Sequence, residues 1–195
     1  DNKFAPFLAT CIISICRNTR QQLSFYILAR DINLFRKNKI QSLQKKYKNC
    51  QIEFIAISKQ TLNGVRTTPW MSLAAFSRLL IPEIKPDIKR AIYLDVDIIA
   101  LGDIKKLWTQ DLGKHIIGVS FGHDGIDFTK IKKIESVRKN HIYFNSGMML
   151  IDCEKWRKQG LTKKLLDVEI KTRGNRVYND QSILNIFFQN KYTLL

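Results

Sequence analysis

One stretch constrains this chain more than any other: Ala91-Ile92-Tyr93-Leu94-Asp95-Val96-Asp97-Ile98-Ile99, preceded by Lys89-Arg90. A short apolar run bounded by charge reads as a buried strand of a largely parallel sheet. Residues i and i+2 of a strand share a face, so Asp95 and Asp97 converge if the strand continues. If it stops, they meet at the carboxyl edge, where open α/β sheets bind ligands. Two carboxylates are not buried without positive charge between them. A hard divalent cation, itself holding a diphosphate, has the matching chemistry. The plainer reading is a pair that ends the strand and caps the next element, because a lone Asp-x-Asp occurs often by chance.

The rest of the chain alternates strand and helix. Ala9 to Cys16 fits a helix packed on a sheet, and Leu23–Ala29 reads as a strand. Residues 32–48 place Leu34, Phe35, Ile40, Leu43 and Tyr47 among lysines, the pattern of an amphipathic helix with a basic outer face. Ile52–Ile57 is a second strand, and strand–helix–strand order argues for a parallel sheet with helices on its faces. After a polar loop over residues 60–69, residues 70–80 form an apolar helix in which Arg78 carries the one charge. An arginine there needs a charged partner, and the next strand offers Asp95 or Asp97, or a diphosphate held by them. Residues 102–108 read as a short helix capped by Asp103. His115–Phe121 is a strand, and residues 122–140 are a charged excursion with a short basic helix. In residues 141–152 the polar Asn145-Ser146-Gly147 interrupts an apolar strand, which predicts a bulge or close approach by a ligand. Residues 153–171 are helical with core positions Trp156, Leu161, Leu165 and Leu166 and a break at Gly160; residues 173–176 turn. A last helix starts at Asn179 or Asp180 as cap, with Ile183, Leu184 and Phe187 facing inward, and residues 191–195 begin a strand.

Composition narrows the class. At 195 residues and 45% apolar, the chain suits one domain with a sizeable core. No apolar run is long enough to span a bilayer, and no secretory leader pattern is visible, so a cytoplasmic protein, soluble or peripheral on the membrane, is expected. Cys11, Cys16, Cys50 and Cys153 lack metal spacing and read as buried reduced thiols. The 33 Lys and Arg against 17 Asp and Glu give a net charge of +16, which implies an anionic partner such as a phospholipid surface, a phosphorylated glycolipid or nucleic acid.

Three separated motifs resemble glycosyltransferase family 8, whose members include lipopolysaccharide galactosyl- and glucosyltransferases and the glycogenins. The first is Leu94-Asp95-Val96-Asp97, with Ala75-Phe76-Ser77-Arg78-Leu79 before it. The second is Phe144-Asn145-Ser146-Gly147 running into Met149-Leu150-Ile151-Asp152 and Lys155-Trp156; the third is Asp180-Gln181 with Ile183-Leu184-Asn185. The resemblance implies a GT-A fold, a Rossmann-like mixed sheet flanked by helices, as one catalytic domain over residues 1–195. It implies a retaining, metal-dependent transfer of galactose or glucose from UDP-galactose or UDP-glucose to a glycan or glycolipid acceptor, with no nucleic acid involved. Asp95 and Asp97 would hold Mn2+ or Mg2+. Asp1, Arg78, Val96, Asn145 and Ser146 would bind the donor, and Asn145, Asp180 and Gln181 would surround the reacting carbon. The family's opening strand and its downstream His-x-x-Gly-x-x-Lys-Pro-Trp motif have no counterpart here, so the chain is expected to be a piece of a longer protein. A basic nucleic-acid module fits the charge but brings no recognised motif, and a metal-dependent phosphoryl-transfer enzyme shares the carboxylates but lacks a glycine-rich phosphate loop.

Overall fold

The computed structural model describes residues 1–57, 76–121, 128–172 and 175–195. In chain order the elements are α1 (Ala5–Asn18), β1 (Leu23–Ala29), α2 (Leu34–Gln41), α3 (Leu43–Lys46), β2 (Cys50–Ala56), a 3-10 turn (Arg78–Leu80), α4 (Ile81–Ile84) and β3 (Arg90–Leu94). There follow α5 (Lys105–Trp108), β4 (Ile117–Phe121), α6 (Phe128–Ile134), β5 (Phe144–Asp152), α7 (Cys153–Lys158), α8 (Leu161–Lys171), α9 (Asn179–Phe188) and β6 (Thr193–Leu194). They form two compact units, Asp1–Gly64 with Asp95–Thr109, and Val65–Leu94 with Gln110–Leu195. No composition shift marks this division.

In the first unit β1 and β2 pair in parallel, from Leu23 opposite Cys50 to Ala29 opposite Ala56. Leu8, Cys11, Ile12, Ile15 and Cys16 recur at three- and four-residue steps along α1 and are buried there. Leu8, Ile12 and Cys16 join Ile40, Cys50 and Ile52 in one core. Asn49 closes the end of α1, its amide donating to the Thr19 carbonyl at 3.1 Å, where a helix leaves its last carbonyls open. Residues 95–109 are anchored on the same helix. The Ala100 amide donates to Ser14 Oγ and its carbonyl accepts from Asn18 Nδ2, both at 2.9 Å, and Val96 packs against the core. The single helix expected over 32–48 is instead two, α2 and α3, meeting at Ser42. The Ser42 hydroxyl donates to the Lys39 carbonyl at 2.7 Å, the local competition with helix bonding that serine brings.

The second unit carries a four-stranded sheet in the order β3-β5-β4-β6. The expectation of a largely parallel sheet around residues 91–99 fails here, since β5 runs antiparallel to both β3 and β4, and β6 pairs in parallel with β4. Nor is β3 fully buried: all five of its residues are half-buried. The strand also stops at Leu94. The Ile98 amide donates to the Asp95 carbonyl, which closes a turn and resolves the two readings of the Asp pair in favour of a strand end.

Asp152 ends β5 and caps α7, accepting from the Lys155 amide at 2.8 Å. Gly160, at φ +58, makes the predicted break between α7 and α8; alanine there would adopt a left-handed conformation that side chains disfavour. Trp156, Leu161, Leu165, Ile183, Leu184 and Phe188 are buried with Phe144, Met149 and Ile151 in one core, while Leu166 is half-buried. The four cysteines are free and buried. Burial pushes the Cys11 and Cys153 thiols up to about 11 and that of Cys16 up to about 12, so these are inert small hydrophobes. Of the apolar helix expected over residues 70–80, residues 70–75 lie outside the described residues; residues 76–77 are helical and Arg78–Leu80 tighten to a 3-10 turn.

Candidate functional site

The site in the second unit is built where β5 departs from regular pairing. Val119 lies opposite Met149, yet the next residue, Ser120, lies opposite Asn145. Ser146, Gly147 and Met148 therefore have no partner on β4, the bulge expected from their sequence. Asn145 stabilises it, its Oδ1 accepting from the Gly147 amide at 2.7 Å. Its Nδ2 makes no hydrogen bond among the described residues and is available to a ligand.

Two carboxamides of α9 hold this bulge. Gln181 Oε1 accepts from the Ser146 amide at 3.1 Å. One turn along, Asn185 accepts from the Phe144 amide at 2.9 Å and donates to the Phe144 carbonyl at 3.0 Å. Residues four apart on a helix stack on one face, as residues two apart do on a strand, so Gln181 and Asn185 match Ser146 and Phe144. On the helix pattern alone, with Ile183, Leu184 and Phe187 facing inward, Gln181 is a side chain the core does not need. The structure corrects this, because without it the buried Ser146 amide loses its acceptor.

Arg78 enters the same cluster. It is buried with 9% of its surface exposed, and its Nη1 donates to the Ser146 carbonyl at 2.9 Å and to Ser146 Oγ at 3.1 Å. Its Nε lies 2.9 Å from Asp180 Oδ2 without the alignment of a hydrogen bond, so this contact is a buried ion pair. Its guanidinium also sits 4.6 Å from the centre of the Tyr93 ring, a cation–π contact. The sequence offered Asp95, Asp97 or a diphosphate held by them as the arginine's partner; within the second unit the structure adds Asp180, from the far end of the chain. Asp180 is accordingly not a helix cap, and neither is Asn179, since α9 begins without a side-chain cap from its own first residues.

Arg78, Ser146, Asp180 and Gln181 are thus brought together, with Asn145 adjoining them in the bulge. Tyr93 and Asn185 were missed as site residues. Asn185 had a legible signal, its i+4 spacing from Gln181 on a predicted helix, whereas nothing in sequence placed Tyr93 under Arg78.

The first unit holds the remaining candidates. Asp95 and Asp97 follow directly on β3 in a turn, Asp95 half-buried and Asp97 exposed. The Asp97 carboxylate adds to burial in raising the Cys11 thiol, and among the described residues it makes no hydrogen bond or ion pair. Val96 between them points into the core. Asp1 Oδ1 accepts from the Phe4 amide at 3.3 Å. Among the described residues there is no group of three or more His, Cys, Asp or Glu that could hold a metal.

This mixed α/β architecture is that of the GT-A glycosyltransferases. It matches the galactosyltransferase LgtC, solved in complex with donor and acceptor sugar analogs, with a TM-score of 0.86 at 24% identity over all of this chain and 70% of LgtC. An LgtC structure with an active-site glutamine changed to glutamate matches equally, at 23% identity. The chain belongs to glycosyl transferase family 8, whose profile matches residues 1–195. A Haemophilus influenzae relative is 31% identical over 191 residues, covering 95% of this chain and 56% of the relative. Glycosyltransferase GlyF of Streptococcus pneumoniae is 30% identical over 199 residues, covering all of this chain and 46% of GlyF. The chain therefore spans about half the length of these two relatives.

Proposed function

We propose that the protein is a retaining hexosyltransferase that moves galactose or glucose from a UDP-sugar to a saccharide acceptor, such as a lipopolysaccharide or lipooligosaccharide core. The observation that carries this reading is the buried Arg78–Asp180 pair beside the Asn145–Ser146–Gly147 bulge, with Gln181 latched to it. Arg78 supplies positive charge where a diphosphate leaves. Asn145 Nδ2 and Asp180 would hold sugar hydroxyls. Gln181 has its oxygen committed to the Ser146 amide, which leaves Nε2, a donor, as the end it can offer a ligand. A donor is no nucleophile, so this arrangement favours front-side attack over a covalent intermediate on Gln181. Attack by Asp180 would require a carboxylate already paired with Arg78. LgtC too carries a glutamine in its active site. Incubating the full-length protein with UDP-galactose and UDP-glucose and following transfer by mass spectrometry tests the reading; no turnover of either sugar overturns it.

Asp95 and Asp97 would hold the metal. They supply two hard oxygen donors, and a hard cation's set of about six would be completed by diphosphate oxygens and water. When bound, Mn2+ or Mg2+ would neutralise charge on the leaving diphosphate. Calorimetric titration of UDP into the full-length protein should show affinity at least tenfold weaker with chelator, and equally so in Asp97→Asn. Unchanged affinity in both would remove the metal from the mechanism.

An anionic membrane surface is the proposed place of work. No helix among the described residues is long and apolar enough to cross a bilayer. On α2, Leu34 and Phe35 are 71% and 74% exposed, and Lys39 of the same helix and Lys45 and Lys46 of α3 are exposed as well. Sedimentation with anionic vesicles should show binding at low salt that high salt reverses, since charge–lipid attraction decays within a Debye length. No sedimentation at low salt would assign the charge elsewhere.

A further inference from the structure

The first turn of α9 presents Asp180 and Gln181, yet the usual means of fixing a helix start is missing there. A helix leaves its first amides without partners, and a side chain at the N-cap normally takes one of them. The N-cap here is Tyr178, with no such bond, and Asp180 is drawn away to Arg78.

The entry is held by Ser182, within the first turn and a half of α9, and through it by Glu135 from outside the helix. Ser182 Oγ accepts from the Tyr178 amide at 2.8 Å and donates to Glu135 Oε1. The same carboxylate oxygen accepts from the Val177 amide at 2.9 Å, and Oε2 accepts from the Tyr143 hydroxyl at 2.9 Å. Glu135 is 3% exposed, Tyr143 2% and Ser182 fully buried. Burial, with the Glu135 charge adding to it, pushes the Tyr143 phenol up, which keeps it a donor. Glu135 follows α6, in the excursion between β4 and β5, and among the described residues it has no cation for a partner. Its charge is met by three neutral donors and by the positive end of α9. A buried carboxylate is a costly substitute for a local cap. What the arrangement achieves is to leave Asp180 free for Arg78 while the turn that carries it stays fixed.

We infer that Glu135 is a positioning residue for sugar transfer, setting through Ser182 and Tyr143 the aim of Asp180 and Gln181. The inference rests on the proposed transferase reading. Glu135→Gln keeps the shape but turns one acceptor into a donor that opposes its neighbours. Tyr143→Phe removes one of the three donors and keeps the ring stacked on Phe128, whose centroid is 4.9 Å away. In the full-length protein, Glu135→Gln should lower kcat about fivefold and Tyr143→Phe about threefold, with the KM for the UDP-sugar within twofold of wild type. Amide exchange at Ser146, which reports the Gln181 bond, should quicken while that of Leu150 in the sheet does not. If Glu135→Gln does not fold, Tyr143→Phe decides by the same readouts. A wild-type kcat in the folded variants, or a rise in KM that accounts for the whole loss, overturns the inference. Wild-type protein that transfers no sugar overturns the transferase reading instead, so the two failures are distinct.

Discussion

Arg78→Met is expected to destabilise the protein by about 3–5 kcal/mol, the range seen when one partner of a buried ion pair is removed. The loss has two parts. Asp180, at 11% side-chain exposure, would lose the guanidinium paired with it, and the Ser146 carbonyl and hydroxyl would each lose a donor. Arg78→Lys should recover part of the stability, since an ammonium can meet Asp180 but cannot also fork to Ser146 or lie flat on Tyr93. The pair Arg78→Met with Asp180→Leu should recover more, because both charges of this ion pair are then replaced together by an apolar pair of similar volume. Under the transferase reading all three stay inactive, with turnover at least a hundredfold down, about 2.7 kcal/mol of transition-state stabilisation. Urea denaturation and steady-state kinetics on the full-length variants measure both quantities. A loss below about 1 kcal/mol for Arg78→Met would place it with weak surface pairs and contradict the burial described.

Gln181→Ala should depress turnover at least thirtyfold, about 2 kcal/mol. It should also lower stability by about 1–2 kcal/mol, because the Ser146 amide is left unsatisfied in a buried position. From the helix pattern alone the stability cost would be near zero, as alanine is a good helix former. The contrast is therefore a direct test of the Gln181–Ser146 bond. Gln181→Glu separates the two effects: a carboxylate still accepts from the Ser146 amide but offers no donor in place of Nε2. It should keep near-wild-type stability while turnover falls as in the alanine variant. Normal turnover in both would make Gln181 a structural bracket for β5 and remove it from the chemistry.

Strands and helices were largely legible because their signals are local. The strand at Leu23–Ala29, the strand read at Ile52–Ile57 and found at Cys50–Ala56, the bulge at Asn145, the break at Gly160 and most core positions of α7, α8 and α9 follow from periodicity, glycine or polar interruption, although Phe188 is buried where Phe187 was expected. The errors came where a local rule met a distant partner. Residues 32–48 carried one amphipathic pattern, but the Ser42 hydroxyl took a carbonyl and divided it. Asp180 had the sequence of a cap and became an ion-pair partner, while the cap passed to Ser182 and to Glu135, 47 residues away from it. The sheet of the second unit was read as largely parallel because hydrophobic runs do not encode strand direction; antiparallel pairing of β5 with β3 and β4 appeared only in the fold.

What the sequence by itself determined was the set of chemical groups and the local geometry that presents them. It supplied a strand running into Asp95 and Asp97, a polar gap in an apolar strand at Asn145–Gly147, and a helix opening with Asp180 and Gln181. These depend on side-chain period and backbone preference over a few residues, so a short window contains them. Tertiary structure decided which groups meet. That Arg78 pairs with Asp180 across 102 positions, and that Gln181 accepts from Ser146 across 35, is settled by the packing of the Arg78 turn and α9 around β5. The physical reason is that a buried charge or amide takes whichever complementary group desolvation leaves within reach, and separation along the chain does not enter that choice.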